Sequence, residues 1–199
     1  MYNMSGKRRK TSISVLLAAV CLLVFIYGCS GTKNYTSYTR PQFDIAGIKK
    51  IAVLPFENYT SEPYAAERVR RAVMIELMSR GVEVTEPGEI TAVLRKQRIR
   101  SIRNITVENI RDIGDALGVD AVMKGSVGAF GIRKGISVTY PEVSVNLTLI
   151  EPESGDIIWA ASNTSGGAGF WTRHFGVEGP TLDEAAAKVV REALDTLFQ

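Results

Sequence analysis

The chain has 199 residues, with 24 Lys and Arg against 21 Asp and Glu, one His and two Cys. Four of the bases, Lys7, Arg8, Arg9 and Lys10, fall in the first 28 residues, which hold no acid, so the remaining 171 residues carry 20 bases against 21 acids. A body so close to neutral has no electrostatic footprint for nucleic acid, and with its cysteines at positions 21 and 29 it keeps no thiol beyond Cys29 for a disulfide, a nucleophile or a Cys-based metal site.

The basic cluster at 7–10 is followed by an apolar, uncharged run from Ile13 to Tyr27, the layout of an export signal. The run falls short of the about 20 apolar residues that span a bilayer core. It ends in Ile26-Tyr27-Gly28-Cys29, which resembles a lipobox, the pattern read by the lipoprotein signal peptidase. The expectation is cleavage between Gly28 and Cys29 and acylation of Cys29. Each buried CH₂ contributes roughly 0.8 kcal/mol, so several acyl chains anchor the protein stably. An uncleaved anchor helix and a conventional signal peptide with an incidental cysteine are the competing readings. Ser30 stands where an Asp would resemble an inner-membrane retention signal, which favours the outer membrane with the protein facing the periplasm.

Residues 29–47 are expected to be the lipidated cysteine and a flexible tether, because Ser30 to Gln42 is rich in Ser, Thr, Asn, Tyr and Gly and can bury little apolar area. From residue 48 to 199 the patterning is that of one α/β domain. Ile48 to Phe56 is a β-branched run that suits a buried strand. Pro63 to Arg80 places Ala66, Val69, Val73 and Leu77 on one helical face, with Gly81 as its stop. Val82 to Thr85 alternates as a strand, and Pro87-Gly88 opens a short helix through Leu94. Thr106 is an N-cap for a helix to Leu117, closed by Gly118.

Val119 to Phe130 reads as a strand and Gly131 to Gly135 as a hairpin turn. On the return strand the apolar alternation changes phase at Pro141-Glu142, which predicts a β-bulge there. Glu153-Ser154-Gly155-Asp156 makes the next turn, and Ile157 to Ser162 pairs back. Thr181-Leu182-Asp183-Glu184 is a capping box for a closing helix through Leu197. The element order predicts an α/β (α+β) fold, a mixed β-sheet of about five strands with helices packed on it.

Three stretches carry a family resemblance: IAVLPFEN (51–58), IGDALGVDAVMKGSV (113–127) and LTLIEPESGDIIWAAS (147–162). In order and spacing they resemble the CsgG/LpoB superfamily, which contains the curli secretion-channel lipoprotein and the lipoprotein activators of penicillin-binding proteins. The resemblance implies a periplasmic α/β domain without enzymatic activity that works by binding other proteins. It also offers an alternative, a subunit of a curli-type outer-membrane secretion complex. A membrane-spanning strand needs about 9 to 11 alternating residues, and only Gly125 to Val145 offers such a hairpin, with Arg133 and Lys134 at its tip.

No nucleophile elbow, phosphate loop or His/Glu metal signature occurs, so no catalytic residue, metal or cofactor and no small-molecule substrate is expected. Two segments are candidate partner-binding surfaces. The first is the aromatic loop with Phe170, Trp171, His174 and Phe175, whose rings either anchor a partner or fold back over the sheet. The second is the basic run Arg95, Lys96, Arg98, Arg100 and Arg103 with Ile99, Ile102 and Ile105 interleaved, which either docks on an acidic partner or lipid head groups or is a solvated helix end. The expected partners are membrane lipid through Cys29 and either an envelope protein or further copies of the chain.

Overall fold

A computed structural model describes residues 35–135, 138–166 and 179–199. Gly28, Cys29 and the aromatic loop with Phe170, Trp171, His174 and Phe175 lie outside the described residues. In chain order the elements are β1 (Tyr35–Thr39), β2 (Lys50–Val53), β3 (Glu57–Asn58), α1 (Ala65–Ser79), β4 (Glu83–Val84), α2 (Pro87–Lys96), α3 (Val107–Leu117), β5 (Ala121–Lys134), β6 (Thr139–Ile150), β7 (Ile157–Ser165) and α4 (Leu182–Asp195). The strands form one mixed sheet in the order β1-β7-β6-β5-β2-β4, with β3 also paired to β5. Strand β2 is parallel to β4 and β5, while β5, β6, β7 and β1 are antiparallel in succession.

Apolar periodicity explains the layers. On β2, Ile51 and Val53 join the core under α1 and α4, while Ala52, together with Leu54 just past the strand, joins the core under α2 and α3. Both faces of that strand are buried, which is why it reads as a continuous apolar run. On α1, Val69, Val73 and Leu77 recur at helical spacing and are fully buried with Val189, Val190 and Ala193 of α4. On the other face Ile90 and Leu94 of α2 meet Ile110 and Ile113 of α3.

The helix ends form as the sequence predicts. Thr106 and Asn109 make a capping box at α3, and Thr181 and Glu184 make one at α4. The Thr181 backbone N–H, and then its hydroxyl, hold the Glu184 carboxyl below the usual carboxylate range. Gly118 closes α3 at φ +58, a left-handed angle that costs an L side chain energy.

Three expectations are corrected. The stretch read as tether contains β1, which pairs antiparallel with β7 from Tyr35↔Asn163 to Thr39↔Trp159. Its polar Tyr-Thr-Ser-Tyr-Thr sequence suits an exposed edge strand held by main-chain bonds. The turn placed at Gly131 to Gly135 instead begins at Gly135, whose N–H donates to Val138 O at 2.8 Å, and β5 runs on to Lys134. Finally, the bulge lies in β5 between Val127 and Ala129, not at Pro141-Glu142. Pro141, Val143, Val145, Leu147 and Leu149 are all buried, so the proline is itself an inward residue of one unbroken alternation. Strand β7 ends opposite Val143. At Pro141, β6 therefore has a paired strand on one side alone among the described residues, where proline is tolerated.

Candidate functional site

The three stretches that carry the resemblance pack on one another. A Cβ on Gly125 of β5 would stand 2.7 Å from the Phe56 ring, so the ring sits directly on the strand backbone. Gly114 of α3 meets Pro152 in the same way: an added Cβ would lie 2.7 Å from Pro152 Cγ and closer still to its Cβ. This second contact seats α3 on the β6–β7 turn.

Beside it opens an acidic cleft of about 800 Å³, lined by Asp44, Asp115, Asp120, Glu151 and Glu153, with Arg111 the single cation in the lining. Several of these groups have structural duties. Asp120 accepts the N–H groups of Lys49 and Lys50, each at 2.8 Å, and Asp44 accepts that of Ala46 at 2.9 Å. Arg111 donates to Glu153 O at 3.1 Å through Nη2. The Ser154 hydroxyl at 2.6 Å, and then Arg40, hold the Glu151 carboxyl below its usual range. Asp115 and the Glu153 carboxylate have no cationic partner among the described residues.

The same glycine yields a test. Gly114→Ala gains about 1 kcal/mol of helix propensity, but forcing atoms into packed space costs about 1–3 kcal/mol and the proline ring is rigid. A net loss of up to about 2 kcal/mol is expected, read as a lower urea midpoint with an unchanged slope.

At the other end of β2, past Pro55, lies a groove of about 540 Å³ lined by Thr91, Leu94, Arg95, Arg98, Ile99 and Arg100. The structure thus gathers three of the predicted basic residues around an apolar floor of Leu94 and Ile99, and leaves Lys96 exposed beside it. Arg95, Lys96, Arg98 and Arg100 have no carboxylate partner among the described residues. Arg103 does not join them: its guanidinium lies 5.2 Å over the Tyr59 ring and 3.7 Å from Glu57.

The groove carries backbone strain. Arg98 has φ +59, and at this helix end the Ile99 N–H reaches Leu94 O at 2.9 Å, the closure that glycine usually serves. A left-handed non-glycine residue costs roughly 1–2 kcal/mol. Arginine is therefore held in a conformation that it disfavours, with its charge beside two others.

The acidic cleft is built on residues just before the parallel strands β2 and β5, namely Ile48, Val119 and Asp120, and the basic groove on Pro55 just after β2. The two surfaces therefore occupy opposite ends of β2. Basic spacing revealed one of them in the sequence. The acidic one was missed because it draws on separated segments, around Asp44, Asp115 and Glu151. Among the described residues no cluster of His, Cys, Asp or Glu could hold a metal ion.

No protein-family model and no curated protein matches the chain. Solved structures do. A PelC dodecamer from Paraburkholderia phytofirmans is similar at TM-score 0.56 and 21% identity, over 84% of this chain and 98% of that one. Lipoprotein GNA1162 from Neisseria meningitidis is similar at TM-score 0.52 and 17% identity, over 74% and 99%. The LpoB C-terminal domain from Escherichia coli, at TM-score 0.45 and 13% identity over 60% and 83%, is too distant to argue from. The chain shares its fold with PelC and with lipoprotein GNA1162.

Proposed function

We propose that this protein is a lipid-anchored, non-catalytic assembly factor of the bacterial cell envelope, whose copies join head to tail with the arginine groove of one against the acidic cleft of the next. In this reading it is a CsgG/LpoB-like lipoprotein, cut after Gly28, acylated at Cys29, and held at the outer membrane facing the periplasm. The observation that carries the assembly is the pairing of an unneutralised basic groove with an acidic cleft at opposite ends of β2. Complementary patches on different parts of one subunit make a heterologous contact, which closes into a ring when the rotation between copies permits. The PelC structure is a dodecamer, which agrees with self-assembly on this fold.

The export-channel alternative finds less support. Beyond the end of β7 the β5–β6 hairpin has four paired positions, Gly131↔Glu142 to Lys134↔Thr139. That is less than half of the about 9–11 residues of a membrane-spanning strand.

Arg98→Gly separates assembly from folding. Relief of the left-handed strain, about 1–2 kcal/mol, matches or exceeds the roughly 0.5–1 kcal/mol entropy cost of glycine, so the unfolding midpoint should hold or rise. The charge is nonetheless gone, and sedimentation of the detergent-extracted full-length protein should show a smaller assembly that dissociates at lower salt. An unchanged assembly with unchanged salt dependence would place the contact elsewhere.

A further inference from the structure

Beyond α2 and α3, the face of the sheet that these helices cover continues as polar strand. Val122 of β5 is buried beneath them, while Lys124 and Ser126, the next two residues on that face, are half-buried. The register sets Lys124 directly opposite Thr148 of β6, and Ser126 directly opposite Asn146. Neighbouring strands lie about 4.8 Å apart and alternate residues of one strand about 7 Å apart, so the four side chains rise from the corners of one small rectangle. Glu57 of β3 extends the Ser126 row, and together with Ile102 these residues line a pocket of about 190 Å³.

The donors in this pocket are free. Asn146 Nδ2 donates to Ser126 Oγ at 3.4 Å, which leaves the Ser126 proton for another acceptor. The Thr148 hydroxyl has no hydrogen-bond partner, and Lys124 no carboxylate, among the described residues. Glu57, the one acid in the lining, is already met by the Tyr59 hydroxyl and, at 3.7 Å, by Arg103. One uncompensated ammonium and two hydroxyls therefore face a space that holds a single small anion. We propose that this pocket receives the C-terminal carboxylate of a protein partner, with a small aliphatic last side chain against Ile102. Hydrogen bonds from a charged donor to a carboxylate are among the strong ones. Charge decides between oxyanions: the single charge of a carboxylate matches Lys124, whereas a phosphate monoester near −2 would set its second charge beside Glu57.

The pocket shares no lining residue with the arginine groove, and saturation-transfer NMR on the detergent-extracted full-length protein tests it. The probes are N-acetyl-dialanine with a free carboxyl end, the same peptide ended in an amide, and inorganic phosphate. The free acid should bind, the amide should bind at least tenfold more weakly, and phosphate should not displace the acid. Lys124→Gln should weaken the acid roughly tenfold to a hundredfold, the loss of one hydrogen bond to a charged group. Lys124→Arg should keep the binding, with the unfolding midpoint unchanged in both variants. The protein carrying Arg95→Glu and Arg98→Glu should bind the acid as the wild type does, so a failure of head-to-tail assembly leaves this result untouched. Equal binding of acid and amide, displacement by phosphate, or loss of binding in the groove variant while Lys124→Gln still binds would overturn the site. So would the absence of saturation transfer to the acid.

Discussion

Trp159→Ala should destabilise the domain by about 3–5 kcal/mol, the usual cost of emptying a buried aromatic site. The ring belongs to β7, is fully buried, and stands opposite Leu149 of β6 and Thr39 of β1. Its Nε1 donates to Thr196 Oγ1 at 3.1 Å, and that hydroxyl donates onward to Ala193 O at 2.7 Å. One side chain thus ties β7 to the end of α4. Domains of this size carry about 5–15 kcal/mol in total, so the loss takes a large share. Urea unfolding should show a much lower midpoint with an unchanged slope. Trp159→Phe keeps most of the volume and should cost far less, because Thr196 retains its bond to Ala193.

Cys29→Ala should abolish the mature species altogether. If the segment ending at Gly28 is a lipoprotein signal, the variant keeps its first 28 residues and carries no acyl mass, while the wild-type chain is shorter and acylated. The two competing readings differ in the same measurement. A conventional signal peptide is cut in both proteins, and an uncleaved anchor is cut in neither. The mass of the membrane-extracted protein therefore discriminates among all three. The burial of roughly 0.8 kcal/mol per CH₂ makes the difference in membrane retention correspondingly large.

The elements with strong local signals were legible in the sequence. Thr106, Thr181 and Gly118 mark helix ends by side-chain and backbone chemistry that needs no tertiary partner. The α1 face at Val69, Val73 and Leu77 was plain for the same reason. Strand β1 was hidden because an edge strand with a polar composition carries no hydrophobic alternation, and only β7 beside it makes it a strand. The bulge was assigned to the wrong strand because the sequence could not show that Pro141 points into the core. At the candidate site, the arginines were visible as a run. Their division into a groove of Arg95, Arg98 and Arg100 and an Arg103 stacked on Tyr59 depends on the loop after α2. The acidic cleft was invisible because the contact of Gly114 with Pro152 that assembles it spans distant parts of the chain.

Head-to-tail assembly is tested most directly by a charge swap read by native mass spectrometry of the detergent-extracted full-length protein. One variant carries Arg95→Glu and Arg98→Glu, a second carries Asp115→Lys and Glu153→Lys, and a third carries all four. Groove against cleft predicts that the first, now acidic on both surfaces, and the second, whose cleft still holds Asp44, Asp120 and Glu151 but no longer any net negative charge, both fall to monomers when alone. Mixed together they should form heterodimers, the intact groove of the second variant against the intact cleft of the first, and the fourfold variant, with neither surface intact, should stay monomeric. Wild-type-sized assemblies in either two-site variant alone would contradict the account.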